Sequence, residues 1–138
     1  ARAAVEGYAA RLACRNSSPQ FADEIASIKK ALLALDISKE LETSVELGDR
    51  LHGAIISATK NFLLQEFYEK IRNYTILTSN FTKKHLNIEI NSRDSHLSII
   101  EALEAQDPDA AEARMLEHLQ QTIKLILTSY INNSAELY

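Results

Sequence analysis

Apolar residues recur at steps of three and four through every long segment of this chain, and only three glycines and two prolines interrupt them. That period returns side chains to one side of an α-helix, whereas a half-buried strand needs strict alternation. The chain is therefore limited to helices that hide one face against each other. The expected fold is all-α, an antiparallel bundle of about six helices joined by short turns. A length of 138 residues, 46% of them hydrophobic and 25% charged, suits one domain able to bury a core without staples.

The spacing predicts a first helix from about Arg2 to Cys14, with Val5, Tyr8 and Leu12 inward. Asn16 to Pro19 breaks it, and Ser18 before Pro19 forms an N-cap and first-turn pair for a second helix carrying Phe21, Ile25, Ile28, Leu32 and Leu35. A third runs from about Lys39 to Thr59, with Val45, His52, Ile55, Ile56 and Thr59 on one side. Asn61 caps a fourth, whose stripe is Leu64, Phe67, Tyr68, Ile71, Tyr74, Thr75, Thr78 and Phe81. The β-branched run from Tyr74 to Thr82 keeps helical spacing and is read as helix. Residues 85–91 read as a connection, Ser92 or Asp94 starts a fifth helix reaching Glu104, and Asp107 caps a sixth that reaches Asn132. In the sixth, Leu116, Leu119, Ile123, Ile126 and Tyr130 form the main core stripe.

Composition excludes several classes. The formal net charge of −4, with basic residues scattered, repels phosphate backbones, so this chain by itself does not suit nucleic acid. No apolar run approaches a membrane span and no signal-peptide layout opens the chain, which points to a cytoplasmic protein. Cys14 is the one cysteine, so no internal disulfide or cysteine-based zinc site can form, and it reads as a small buried hydrophobe.

The polar residues that break pattern are histidines. His52, His96 and His118 fall on apolar faces of three different helices, and Asp49 stands one turn before His52. A single inward imidazole is ordinarily a satisfied core residue. Three of them with a carboxylate would each need a separate partner, whereas one divalent cation satisfies all. Imidazole and carboxylate ligands suit a transition metal, zinc first, with nickel, iron or manganese as alternatives. His85 follows two lysines near a helix end and reads as solvated. Paired Glu-x-x-His motifs of di-iron bundles, His-Glu-x-x-His, nucleophile motifs and Gly-rich phosphate loops are all missing.

Taken in order, these motifs resemble a known family. Arg2-x-x-x-Glu6-Gly-Tyr-Ala-Ala-Arg-Leu-Ala13, then Leu51-His52 with Ile55 and Asn61, then His96-x-x-Ile-Ile-Glu-Ala-Leu, Asp107-x-x-Ala-Ala and Met115-x-x-His118-Leu119 are similar to the C-terminal effector-binding (FCD) domain of GntR-family, FadR-subfamily transcription regulators. The similarity covers nearly the whole chain. It implies a helical bundle that binds a metal and a small organic acid, forms a homodimer, and controls an attached winged helix-turn-helix DNA reader. It also implies that His52, His96 and His118 are metal ligands. The family's aspartate lies four residues before the first histidine, where this chain has Gly48; Asp49, three before, shares that face and becomes the expected fourth ligand. Arg2 and Arg72 match family positions that line the acid pocket, and a guanidinium fork suits a carboxylate. The DNA-reading domain would precede the first helix and is not part of this chain, so DNA is reached only through it.

Three functions follow as expectations. The first is a ligand-sensing regulatory domain, not an enzyme. The second is a mononuclear metal-dependent enzyme acting on a small acid or ester, which needs a general base that the sequence does not distinguish from Asp49. The third is a purely structural, dimerising bundle whose histidines are hydrogen-bonded in the core.

Overall fold

Six helices fill a computed structural model that describes residues 1–136, with side chains described through residue 132. They are α1 (Arg2–Arg15), α2 (Pro19–Ala34), α3 (Leu41–Ala58), α4 (Phe62–Thr82), α5 (Leu86–Glu104) and α6 (Pro108–Glu136), with no strand among the described residues. None of these helices is long and apolar enough to cross a membrane.

The helix starts follow from side-chain caps. Ser18 Oγ accepts from Phe21 N at 3.2 Å with Pro19 beginning the helix, Asn61 Oδ1 accepts from Leu64 N at 3.1 Å, and Asp107 Oδ1 accepts from Ala110 N at 3.1 Å. Each satisfies an amide that the first helical turn leaves without an internal partner. Lys60 and Gln106 take left-handed φ values of 52° and 53°, which turn the chain from α3 and α5 directly into the capping Asn61 and Asp107.

The core lies where α1 is surrounded. Its fully buried face is Glu6, Gly7, Ala9, Ala10, Ala13 and Cys14; of the residues expected inward, Val5 is half-buried against the core, Leu12 is half-buried, and Tyr8 is 47% exposed. Small side chains let other backbones approach closely. A Cβ on Gly7 would meet Leu116 Cδ2 of α6 at 3.0 Å. Around α1 pack α3, α4, α5 and, most extensively, α6, to which Arg11 is also tied through Glu112 and Asp109.

Three expectations about elements need correction. Residues 86–91 are helical: α5 begins at Leu86, and only residues 83–85 separate it from α4. In that turn the His85 ring stacks on Phe81 with centroids 4.2 Å apart, and its Nδ1 donates to the Phe81 carbonyl at 2.8 Å. On α4 the inward face is hydroxylic, made of Tyr68, Thr75, Ser79 and Thr82, while Phe67 and Tyr74 of the expected stripe face solvent. On α6 the core face is Ala111, Met115, His118, Leu119 and Thr122. Ile123 and Tyr130, expected inside, are 54% and 65% exposed. Both faces of α6 are apolar, and the one bearing the histidine is the one the chain covers.

Candidate metal centre and its cavity

Helical period brings each histidine to the middle of the bundle. His52 shares the α3 face of Val45, Ile55 and Ile56; His96 shares that of Ser92, Ile99 and Leu103; His118 follows Ala111 and Met115 at steps of four and three. All three are 3–4% exposed. Their rings converge. His52 Nε2 lies 3.1 Å from His96 Nε2 and 3.3 Å from His118 Nε2, and the three residues can each offer a ligand atom within 4.8 Å of the others.

Neighbours determine which ring nitrogens carry hydrogen. Glu6, 1% exposed, accepts from His52 Nδ1 and from Arg2 Nε. Ser95 Oγ donates to the Ser92 carbonyl at 2.9 Å, so its contact with His118 Nδ1 at 2.6 Å makes it the acceptor there. With both Nδ1 atoms protonated, His52 and His118 turn Nε2 lone pairs toward each other. His52 Nε2 is the atom within reach of both other rings, and His96 carries a buried Nδ1 that has no partner. A hydrogen on His96 Nε2 pairs with the His52 lone pair and leaves that of His118 Nε2 without one. A cation serves all three rings, so these residues fit a metal chemically.

Electrostatics agree. Burial drives the His96 and His118 imidazoles well below the ordinary histidine range, reinforced by the neighbouring histidines and Arg2, so both rings are neutral and able to ligate. Burial alone would raise the Glu6 carboxyl, but His52 and Arg2 outweigh it and hold it below the usual carboxylate range.

Beside the rings lies a cavity of about 30 Å³, lined among others by Arg2, Asp49, His52, Ser79, Thr82, Glu89, His96, His118 and Thr122. Of the residues expected from sequence, the three histidines meet, and Arg2 and Asp49 line this cavity. Asp49 accepts from Ser79 Oγ at 2.7 Å and is not one of the atoms gathered at the ring nitrogens. Arg72 is not brought here: its side chain is 62% exposed and lies 3.5 Å from Glu69. It stands between buried Tyr68 and Thr75, but its long stem carries the charge out to water.

A Cβ on Gly48 would lie 2.4 Å from His96 Cε1, so the His96 ring fills the space a side chain would need.

Sequence reasoning missed Glu89 and Ser95. Glu89 is 2% exposed, and its carboxyl is pushed up to about 7, chiefly by burial and further by Asp49, against the opposing effects of Ser44 and Arg93. Reading residues 85–91 as a connection hid it; the step from Ile88 to Ser92 to His96 to Ile99 was the available signal.

Comparison with protein families agrees with this architecture. The model of the FCD domain, the C-terminal effector-binding domain of GntR-family regulators, matches residues 1–121. The chain belongs to the FCD-domain family and is a ligand-sensing regulatory domain. A search of curated proteins gives no match.

Proposed function

We propose that this domain senses a small organic acid through a divalent transition metal, zinc first, held by His52, His96 and His118, with Asp49 as the additional carboxylate of the same cavity. The observation that carries this reading is the meeting of two Nε2 lone pairs whose Nδ1 hydrogens are already committed to Glu6 and Ser95. A bound cation would offset those lone pairs and act as a Lewis acid toward an effector carboxylate. The protein's own groups do the rest. Glu6 and Ser95 fix the ring orientations, and Arg2, whose Nε is on Glu6, directs its remaining guanidinium donors to the acid. Arg72, at the surface, has no part in this scheme.

The same reading makes the domain a homodimer in the cytoplasm. Ile123, Leu127, Tyr130 and Ile131 form an apolar stripe on α6, each 54–65% exposed, that the described residues leave uncovered. A second copy covers it. An attached winged helix-turn-helix domain would read DNA, and effector binding would shift the arrangement of two such readers through differential affinity for two states.

Metal content decides the matter. Protein purified without added metal or a metal-chelating tag is expected to carry close to one metal per chain by elemental analysis, and His96→Ala to carry almost none. Undiminished metal in that variant contradicts the site.

One observation favours a second reading. Glu89, with a carboxyl near neutrality in the same cavity, is the kind of general base a hydrolytic metal site requires. Ester turnover by the zinc-loaded chain that vanishes in Glu89→Gln would establish it over the sensor.

A further inference from the structure

Helix α6 runs on past the start of α1. The two are antiparallel, with Arg11 on Asp109 and Glu112 and Gly7 against Leu116, and Arg2 shares the histidine cavity with Leu119 and Thr122. Ile123 stands seven residues after Leu116, so it continues the line of α6 that holds α1, but beyond the level of Arg2. Leu127 and Tyr130 extend that line at steps of four and three. Helix α4 flanks the same place: Thr78 lines the cavity with Arg2, and Tyr74, one turn before it, and Leu77, beside it, are exposed. Phe67, seven before Tyr74, and Tyr8 of α1 are exposed as well. Of the groups that line the cavity, only Arg2, Asp49 and Thr78 are part-exposed, and the rest are buried. Arg2 and Thr78 thus open the cavity to water between the uncovered stripes of α4 and α6.

We infer that a second copy of this chain seats on the face formed by α4, the first turns of α1 and the far half of α6, and that it thereby covers the mouth of the histidine cavity, so that pairing slows the entry and exit of the metal ion. This rests on the proposed metal, and it gives the homodimer an effect on the site. Area selects the wider face. The α6 stripe alone presents roughly 500 Å², less than the ~800 Å² per partner that a stable pair covers, whereas Tyr8, Phe67, Tyr74 and Leu77 bring about as much again. Chemistry selects the occupant. The charges beside the α4 stripe are paired with one another, Lys70 with Glu66 and Arg72 with Glu69, which leaves them little hold on a polyanion or a basic peptide. An apolar patch carried by every copy is covered on both at once by a two-fold pair.

The test uses the whole zinc-loaded chain, diluted in steps from dimer to monomer as read by sedimentation equilibrium. An excess of a chromophoric chelator times the loss of zinc at each step. Zinc is expected to leave the monomer at least about tenfold faster than the dimer, with zinc affinities within about twofold, because a cover slows entry and exit alike. Tyr74→Glu puts a charge on the α4 part of the face and is expected to give monomer, and the fast rate, at every concentration. Leu33→Glu places the same charge on an exposed leucine of α2, which packs on α3 and α5, and is expected to pair and to hold zinc as the parent does. A parent that stays monomeric at all concentrations gives the face to another occupant and overturns the inference. So does a dimer that survives Tyr74→Glu. The parent's dilution series decides even if Tyr74→Glu misfolds. A chain that takes up no zinc overturns the metal reading together with this one, whereas a chain that holds zinc and loses it equally fast from monomer and dimer overturns this one alone.

Discussion

At Gly48 the α3 backbone runs close against the His96 ring, and a single methyl group there tests whether His96 must stay in place. Because a Cβ would stand 2.4 Å from His96 Cε1, Gly48→Ala is expected to push the ring aside and weaken zinc binding at least about tenfold, without removing any ligand. Competition with a chromophoric chelator measures it, and unchanged affinity would show the ring is not constrained there. Glu89 allows a second test through pH. Its folded pKa is raised from 4.5 to about 7, so below pH 4.5 both folded and unfolded forms are protonated and the burial costs nothing. As pH rises through that window, the unfolded chain ionises first and stability is lost, levelling off above 7. Denaturant unfolding of the metal-free chain should show Glu89→Gln gaining on the parent across the window, by up to about 3 kcal/mol. A pH-independent gap would mean the carboxyl is not perturbed. At this scale the sequence was legible where chemistry broke pattern: an imidazole among Ile99, Ile100 and Leu103 stands out. It was not legible where geometry decides, as for Arg72, whose stem can run inward or outward from the same backbone position.

Helices were readable as far as local physics fixes them. Ser18-Pro19, Asn61 and Asp107 announce helix starts because their side chains satisfy amides only a few residues away. Asn61→Ala is accordingly expected to cost about 1 kcal/mol in denaturant unfolding while leaving zinc affinity unchanged; a loss of zinc binding would make Asn61 part of the site. The start of α5 was obscured because Glu89 and Ser92 point inward, so the first two turns lack the apolar stripe that marks a helix, even though the backbone continues it. On α6 the expected stripe holds at Leu116 and Leu119 but faces outward at Ile123 and Tyr130, for a different reason. Ile123, Ile126 and Tyr130 are more apolar than Ala111, His118 and Thr122, and periodicity cannot say whether an apolar face is covered by its own chain or by another. On α4, hydroxyl side chains face inward and aromatics outward, an arrangement that makes sense for a cavity wall and not for a core.

The molecule as a whole gathers three helices around one set of nitrogens, and everything proposed for it depends on that gathering. Class and topology were legible because scarce glycine and proline, helical spacing and short turns permit little but a bundle. Which surfaces meet other molecules was not, since that lies between chains. Leu127→Glu, on the uncovered α6 stripe at 56% exposure, is expected to shift the protein from dimer to monomer in sedimentation equilibrium; a dimer that survives the charge uses another face. The most direct test of the central idea is X-ray absorption at the zinc edge of the zinc-loaded chain. Three imidazoles in the zinc coordination shell are predicted, falling to two in His118→Ala; fewer than three in the parent, or a shell indifferent to that substitution, would contradict the account.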